Sequence, residues 1–273
     1  KNILKKYDLK AKKKFGQNFL NDKNIINQIV KSSLCDNNYI VEVGPGPGLL
    51  TNAILKKNVK KVLAIETDKT FLPILEKFKE NHSKKFDFII NDILKVDLDK
   101  IINEKYSVVS NLPYNISVPF IISLIEKEQP VKWERLTLTV QKEVADRMMA
   151  KINTKQYGRL SVLTQWRCKI VKICEIKPTC FIPPPKVLSS VISIEPKNDV
   201  KTPSVKNFQK IVSYAFGFRR KTLKKSLSSL DVDINQLADL CKIDLGLRAQ
   251  NLSVNDFCNL AVGYEKLSKQ IIS

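Results

Sequence analysis

Hydrophobic positions along the chain change their spacing several times, and these changes predict the secondary structure. Apolar residues repeat at helical spacing from Ile25 to Leu34, and a short buried-strand pattern follows in "YIVEV". Beyond it, strand-like runs ("KVLAIE", "FDFII", "YSVVSNL", "RLTLTVQ") alternate with predicted helices over residues 69–80, 117–127 and 141–150. Strands separated by helices indicate an α/β fold with a mostly parallel, doubly wound sheet.

The last third of the chain has a different pattern. A predicted helix near residue 160 precedes "CKIVKICEIK" and "VLSSVISIEP", which we interpret as the two last strands of the sheet, forming an antiparallel, hairpin-like pair. "PKNDVKTP" has the composition of a linker, and the segment after it is helical, with Phe208, Ile211 and Ala215 on one face. We therefore expect an α/β domain over residues 1–197 and a small all-α domain over residues 198–273.

The charge balance of the chain indicates a polyanionic partner. Forty-seven Lys and Arg residues against 27 Asp and Glu leave a formal net charge of +20, and such a chain repels itself unless it binds a polyanion. Nucleic acid is the first expectation, and an acidic membrane surface is the rival. No apolar run approaches the roughly 18 residues that span a bilayer, so we expect no membrane partner.

The cysteines and the single histidine exclude several kinds of site. The six cysteines form no Cys-x-x-Cys pair and have no histidine nearby, so we expect neither a metal site nor a disulfide framework. We interpret them as reduced thiols of a cytoplasmic protein. His82 lies in the polar stretch "KENHSKK", where an exposed loop position is expected, and this excludes a Ser/His/Asp triad. The N-terminal stretch has no secretory signal, and the start at Lys1 leaves a removed organellar leader open.

Three glycines follow the first predicted strand of the sheet. In "VEVGPGPGLLT", Gly44, Gly46 and Gly48 stand between a strand and a helix, where missing side chains let a ligand lie against the backbone. Their spacing excludes a phosphate-binding P-loop and matches a dinucleotide loop poorly. Glu66 ends the next strand, where it can accept hydrogen bonds from ribose hydroxyls. The pattern predicts a nucleotide-type site for NAD or S-adenosylmethionine; the alternative is a tight turn with a surface glutamate.

Two further strands end in polar groups. Asp92 follows "FDFII", where it either accepts a hydrogen bond from an adenine amine or caps a turn. After the next strand, "NLPY" supplies the amide of Asn111, a backbone carbonyl near Leu112 or Pro113, and the ring of Tyr114, on which a base can stack. Acceptors for the N–H groups of an adenine amine favour the pyramidal nitrogen that attacks a sulfonium methyl, without a strong base. The alternative is a Pro-Tyr turn that packs the sheet edge.

Seven motifs in this order resemble the KsgA-type small-subunit ribosomal RNA adenine dimethyltransferases. They are "KKKFGQNFLND", "VEVGPGPGLLT", "NLPYNIS", "QKEVADRM", "YGRLSVL", "FIPPPKVLSSVI" and "FGFRRKTLKKSL". The resemblance implies a class I methyltransferase fold with a seven-stranded sheet. It also implies that the enzyme uses S-adenosyl-L-methionine to dimethylate N6 of two adjacent adenosines near the 3′ end of small-subunit rRNA, with a role in the biogenesis of that subunit.

The resemblance also implies roles for individual residues. The target adenine would lie between Tyr114 and Phe181, the latter at the start of "FIPPPK". A core position for Phe181 is the alternative. The residues that would meet the cofactor are Asn18, Leu20, Gly44, Gly46, Glu66, Asp92 and Asn111.

Basic residues cluster in three places, each either a solvated face or part of an RNA-binding surface. They are Lys10–Lys14, the stretch from Lys151 to Lys177, and "FRRKTLKK", residues 218–225, called the basic segment below. In the basic segment we expect contacts to the rRNA backbone from four side chains: Arg219, Arg220, Lys221 and Lys224. The expected partners are small-subunit rRNA and the immature small ribosomal subunit, bound by a monomer.

Three other functions compete with this interpretation. An antibiotic-resistance dimethylase of large-subunit rRNA shares the two-domain plan, but "NLPY" and "FRRKTL" favour the small-subunit enzyme. A noncatalytic assembly or mitochondrial transcription factor shares the fold, but intact Asn111, Tyr114 and Phe181 favour catalysis. A nicotinamide oxidoreductase would need the dinucleotide spacing that is missing here.

Overall fold

The computed structural model describes residues 11–12, 15–127, 130–197, 203–218 and 220–272. The chain forms two compact units. The sheet unit comprises the chain through Ala145 together with Ile170–Pro196, and the helical unit comprises Asp146–Lys169 and the chain from Lys197 onward.

Nine strands and eleven helices are assigned within the described residues. The strands are β1 (Phe19–Leu20), β2 (Tyr39–Val43), β3 (Lys61–Glu66), β4 (Phe86–Ile90), β5 (Tyr106–Asn111), β6 (Trp133–Gln141), β7 (Cys168–Ile176), β8 (Phe181–Ile182) and β9 (Ser189–Pro196). The helices are α1 (Lys23–Ser32), α2 (Leu49–Leu55), α3 (Leu72–Asn81), α4 (Leu98–Ile101), α5 (Tyr114–Ile125), α6 (Lys142–Met148), α7 (Arg159–Arg167), α8 (Val205–Gly217), α9 (Leu223–Ser226), α10 (Ile234–Cys241) and α11 (Val254–Ile272).

Seven strands form the main sheet, in the order β4-β3-β2-β5-β6-β9-β7. The strands from β4 to β6 run parallel, and β9 pairs antiparallel with β6. The predicted α/β fold with a mostly parallel sheet is confirmed. Strand order reverses between β2 and β5, and in open α/β sheets ligands bind at the carboxyl ends of the strands at such a point.

The central strands are apolar because both faces of the sheet are covered. Ile40, Val62, Val108 and Leu136, one from each of four neighbouring strands, are fully buried. Helix α1 begins where the Asp22 side chain accepts hydrogen bonds from two backbone N–H groups of its first turn. The buried strands position the carboxyl edge of the sheet.

A second, two-stranded sheet was not predicted. Strands β1 and β8 pair antiparallel, with Phe19 opposite Ile182 and Leu20 opposite Phe181. Each strand has only two residues, so neither gives a periodic signal in the sequence. The pair joins the segment before α1 to the segment before β9.

Helix α5 begins at Tyr114, three residues before the predicted start at residue 117. Pro113 occupies the N-cap position, and its carbonyl accepts a hydrogen bond from Ile116 N. Proline suits the start of a helix because it has no N–H to satisfy. The "NLPY" motif therefore lies at a strand-to-helix junction.

The helical unit includes a segment that the sequence assigned to the α/β domain. Trp166 in α7 stacks on Phe208 in α8 with 3.8 Å between ring centroids, and the Tyr157 hydroxyl donates to Leu252 O. Residues 146–169 therefore pack with the C-terminal helices, whereas the sequence boundary was placed after residue 197. Most of the predicted linker, residues 198–202, lies outside the described residues.

Candidate active site

One cavity lies at the carboxyl edge of the main sheet. Gly44 and Gly46 follow β2, Glu66 ends β3, Asp92 follows β4 and Asn111 ends β5, and all of them line this cavity. Other residues predicted for the site also line it: Asn18, Leu112, Pro113 and Tyr114. The structure therefore brings nearly all of the predicted cofactor and base residues together.

The glycine loop packs closely against two aromatic rings. Gly46 has a φ of +51°, and a Cβ there would lie 3.1 Å from the ring of Phe19. Gly48 has a φ of +79°, and a Cβ there would meet the ring of Phe78 at 2.3 Å. L-residues with side chains rarely adopt such φ values. The glycines therefore let the loop pack against Phe19 and Phe78, while Gly44 and Gly46 line the cavity.

Glu66 holds this loop through hydrogen bonds. Its Oε2 accepts from Gly46 N at 3.1 Å, and its Oε1 accepts from the N–H groups of Thr67 and Asp68, both at 2.9 Å. Burial raises the pKa of Glu66, while the three N–H groups lower it. A carboxylate offers about four acceptor positions, so one remains on Oε2 for a ribose hydroxyl.

Asp92 is both a cap and a cavity residue. Its Oδ1 accepts from Leu94 N at 3.0 Å at the start of a 3₁₀ turn, Ile93–Lys95. The turn role and the ligand role were alternatives in the sequence, but the structure combines them, because Asp92 also lines the cavity.

The amide of Asn111 is oriented by the segment before β1. Asn111 Nδ2 donates to Asn18 O at 2.9 Å. The donor end of the amide is thereby engaged, and its Oδ1 has no partner among the described residues. Asn18 Nδ2 in turn donates to Gly16 O at 3.3 Å. Asn18 and Asn111 therefore act together, the first by holding the second.

Tyr114 is fixed at its hydroxyl. The Tyr114 hydroxyl and Ser189 Oγ lie 2.7 Å apart, and Ser189 is fully buried at the start of β9. Burial raises the pKa of the Tyr114 hydroxyl, which therefore stays protonated. A half-buried ring held at its far end lines the cavity as a fixed flat surface.

Phe181 and Leu20 lie in the core. Phe181 is only 2% exposed, pairs with Leu20 across the two-stranded sheet, and belongs to the hydrophobic core with Ile29 and Ile54. Because Phe181 is buried and does not line the main cavity, it takes the core position in this structure and not the stacking position predicted for it. Leu20 lies beside a smaller cavity next to Gly44 and Asn111 rather than in the main one.

A salt bridge next to the cavity was missed in the sequence. Lys12 Nζ lies 2.8 Å from Asp68 Oδ1, and Gln17 Nε2 donates to Asp68 Oδ2 at 3.1 Å. Lys12 belongs to the basic cluster Lys10–Lys14, whose other lysines lie outside the described residues. Its charge instead ties the segment before β1 to the loop after β3.

Glu42 is a second buried acidic residue that the sequence did not single out. It is 1% exposed, borders the smaller cavity, and its Oε2 has no hydrogen-bond partner among the described residues. Burial raises the pKa of Glu42 to about 8, and the nearby charge of Glu66 adds to this. At neutral pH, Glu42 is therefore mostly protonated.

The basic segment of the helical unit has unpaired charges. Arg220, Lys221 and Lys224 are exposed, and none has an acidic partner among the described residues. Arg219 lies outside the described residues. By contrast, Lys172 in the second predicted cluster pairs with Glu175 at 2.9 Å.

Comparison with known proteins identifies the family. The sequence matches the ribosomal RNA adenine dimethylase family over residues 8–266. The chain belongs to this family. It is 41% identical over 261 residues to ribosomal RNA small subunit methyltransferase A of Pelagibacter ubique, covering 95% of this chain and 98% of that protein. The enzyme of the same name from Bradyrhizobium diazoefficiens is 36% identical over 262 residues, covering 95% of this chain and 92% of that protein.

Solved structures agree with membership of the adenine dimethylase family at the level of the fold. A dimethyladenosine transferase from Plasmodium falciparum superposes with a TM-score of 0.76 at 24% identity, covering 92% of this chain and 98% of that chain. The 23S rRNA methyltransferase ErmE superposes with a TM-score of 0.66 at 21% identity, covering 92% of this chain and 100% of that chain. The expected class I methyltransferase fold is confirmed. Along the described part of the chain, no helix is long and apolar enough to cross a bilayer.

Proposed function

We propose that this adenine dimethylase uses S-adenosyl-L-methionine to dimethylate N6 of two adjacent adenosines near the 3′ end of small-subunit rRNA. Membership of the family and two relatives named for the small subunit support this activity. The observation that carries it is the Asn111 amide, which is held by Asn18 O with its acceptor end unpaired at the reversal point of the sheet.

The cavity suits the cofactor. Gly44 and Gly46 expose backbone to it, Glu66 retains an acceptor for the ribose, and Asp92 can accept from the adenine amine. When bound, S-adenosylmethionine supplies a methyl group on a positively charged sulfur. The protein contributes the position of that methyl group relative to the base.

We assign to Asn111 the role of an acceptor for the amine of the target adenine. Its Oδ1 takes one N–H, and we assign the second N–H to the carbonyl of Leu112, because the carbonyl of Pro113 already accepts from Ile116 N. These bonds favour a pyramidal nitrogen whose lone pair is available. Each methylation releases one proton from N6, which passes to water, so no strongly basic side chain is required.

Tyr114 provides the stacking surface for the base. Its hydrogen bond to Ser189 fixes the ring before the substrate arrives, which lowers the entropy lost on binding. We assign Phe181 a structural role in the two-stranded sheet instead.

We further propose that the substrate is the immature small subunit, bound by a monomer in the cytoplasm. The exposed cations Arg220, Lys221 and Lys224 support contacts to the phosphate backbone. Target bases must leave their stack to reach a cavity of this kind, and we expect an incompletely assembled subunit to leave them accessible.

The test compares four substrates: immature small subunits, mature unmethylated small subunits, free small-subunit rRNA and free large-subunit rRNA. We expect N6,N6-dimethyladenosine at two neighbouring positions, mapped by primer extension, with the fastest reaction on immature subunits. Methylation of large-subunit rRNA alone would contradict the assigned substrate. Equal rates on the three small-subunit substrates would contradict only the proposed maturation state.

A further inference from the structure

Phe218 is the most exposed of the large hydrophobic residues in the described part of the chain. Its side chain is 61% exposed. It directly follows α8 and is the first residue of the basic segment. Single exposed apolar residues are common on protein surfaces, so the surroundings of Phe218 decide whether it binds a ligand.

The end of helix α8 explains why Phe218 faces solvent. Phe208, Ile211 and Ala215 lie on the buried face of α8, and continued helical spacing would bring position 218 onto that face. The helix instead ends at Gly217, and the Phe218 backbone leaves the helical conformation with φ −127° and ψ 79°. Its carbonyl then accepts from Lys221 N at 2.9 Å, which forms a turn.

The neighbouring ring, Phe216, shows the contrast. Phe216 lies 5.6 Å from Phe257, in a stacked arrangement, and 6.4 Å from the ring of Tyr157. No ring and no charged group among the described residues contacts Phe218. One of two aromatic residues at the end of the same helix is therefore packed, and the other is left free.

The chemistry around Phe218 specifies a partner. Arg220 and Lys221 are exposed shortly after Phe218 in the chain, and Lys224 and Lys225 are exposed in α9, so Phe218 belongs to a segment of exposed cations that have no acidic partner among the described residues. Cations that contact phosphates, beside an aromatic face for a base, are the combination that binds single-stranded nucleic acid. An apolar protein partner would bring no charge to complement this surface.

We propose that Phe218 stacks on an unpaired base of the RNA substrate while Arg220, Lys221, Lys224 and Lys225 contact the adjacent phosphates. This base lies outside the reaction cavity and is not methylated. The proposal rests on the proposed function in one respect, namely that the substrate is RNA. It adds a second base-binding position in the helical unit.

The experiment measures RNA affinity of the full chain against salt concentration. The probes are a fluorescein-labelled 12-nucleotide oligo(A) and a 12-base-pair RNA duplex. We expect Phe218→Ala to weaken binding of the single strand by about tenfold without changing its salt slope, because stacking releases no counterions. Binding of the duplex should stay unchanged. Arg220→Glu should weaken both probes and reduce the slope by about 0.7–0.9.

Two further variants serve as controls. Leu240→Ala removes another exposed hydrophobic side chain of the helical unit and should leave affinity unchanged. Phe218→Trp should retain affinity, and its fluorescence should be quenched by oligo(A), because both native tryptophans, Trp133 and Trp166, are buried.

The outcomes separate this inference from the proposed function. If Phe218→Ala binds oligo(A) as tightly as the native chain while Arg220→Glu does not, the stacking role is overturned and the basic segment remains an RNA surface. If neither variant changes affinity, both the stacking role of Phe218 and the RNA-binding role of the basic segment are overturned. If Phe218→Ala lowers the salt slope, the stacking role is overturned as well, because the ring then acts through the cations rather than through a base.

Discussion

The cavity of the sheet unit and the basic segment of the helical unit are organised in opposite ways. In the cavity, the functional groups are held before any ligand arrives: Asn111 by Asn18, Glu66 by three backbone N–H groups, and Tyr114 by Ser189. In the basic segment, Phe218, Arg220 and Lys221 project into solvent without such partners.

The difference matches the two functions proposed for these regions, methyl transfer and RNA binding. Methyl transfer requires atoms held in one geometry, so most of the catalytic effect comes from preorganised groups. Attraction of a phosphate backbone requires charge and tolerates mobility. Changes in the cavity should therefore act on rate and cofactor affinity, and changes in the basic segment should act on RNA affinity and its salt dependence.

The largest effect is expected for Asn111→Ala. Loss of the acceptor should lower the single-turnover rate of methyl transfer by at least about 100-fold, the usual cost of removing one preorganised hydrogen-bonding group. RNA affinity should change by less than about threefold. Rapid-quench kinetics and RNA titration measure the two quantities. The exposed Asn103 provides the control Asn103→Ala, and equal turnover by Asn111→Ala would remove Asn111 from the mechanism.

Glu66→Ala should weaken the binding of the cofactor. The change removes the ribose acceptor and leaves the N–H of Gly46 without its partner. We expect the dissociation constant for S-adenosylmethionine, measured by isothermal titration, to rise by about 10- to 100-fold, since a hydrogen bond to a charged group contributes about 1.5–3 kcal/mol. Glu76→Ala, an exposed change in α3, is the control. Unchanged affinity would mean that Glu66 only supports the loop.

Reversing the charges of Lys221 and Lys224, as Lys221→Glu with Lys224→Glu, should weaken RNA binding without affecting the cofactor site. The double variant should bind small-subunit rRNA about tenfold more weakly, and its log–log salt slope should fall by about 0.7–0.9 for each phosphate that the protein no longer neutralises. Its affinity for S-adenosylmethionine should equal that of the native chain. Lys266→Glu reverses another exposed charge of the helical unit and should change neither quantity. An unchanged slope in the double variant would exclude these two lysines from the RNA surface.

Glu42 gives the smallest effect, on stability rather than activity. Its pKa rises from an ordinary 4.5 to about 8 in the folded protein, so between these values the unfolded chain loses the proton first. The free energy of unfolding should therefore fall as pH rises from about 5 to 8, by on the order of a few kcal/mol.

Glu42→Gln should flatten this decline, as measured by urea unfolding across that pH range. Glu80→Gln, at an exposed position, should leave it as in the native chain. An identical pH dependence in Glu42→Gln would show that Glu42 is ionised in the fold.

The regular parts of the molecule could be predicted from sequence because their signals are local. Alternating strands and helices indicated the parallel sheet, and the polar ends of β2 to β5 indicated the cavity, since parallel strands end at one edge. Contacts distant in sequence left no such signal. The Lys12–Asp68 salt bridge and the pairing of β1 with β8 join segments that look unrelated in the chain.

The side-chain chemistry of Phe181 was not enough to predict its position in the fold. An aromatic residue before a proline cluster suits both a stacking position and a core position, and only the burial of the Phe181 side chain in the folded chain favours the core. Phe218 shows the reverse, because helical spacing indicates burial while the end of α8 exposes the ring.

The central claim is that the cavity at the carboxyl edge of the sheet binds the methyl donor beside Asn111 and Tyr114. A crystal structure of the protein with S-adenosylhomocysteine tests it most directly. We predict the ribose at Glu66, the adenine amine at Asp92 and the sulfur next to Asn111. Density for the ligand at any other place, with Glu66 and Asn111 keeping only their present protein partners, would contradict the account.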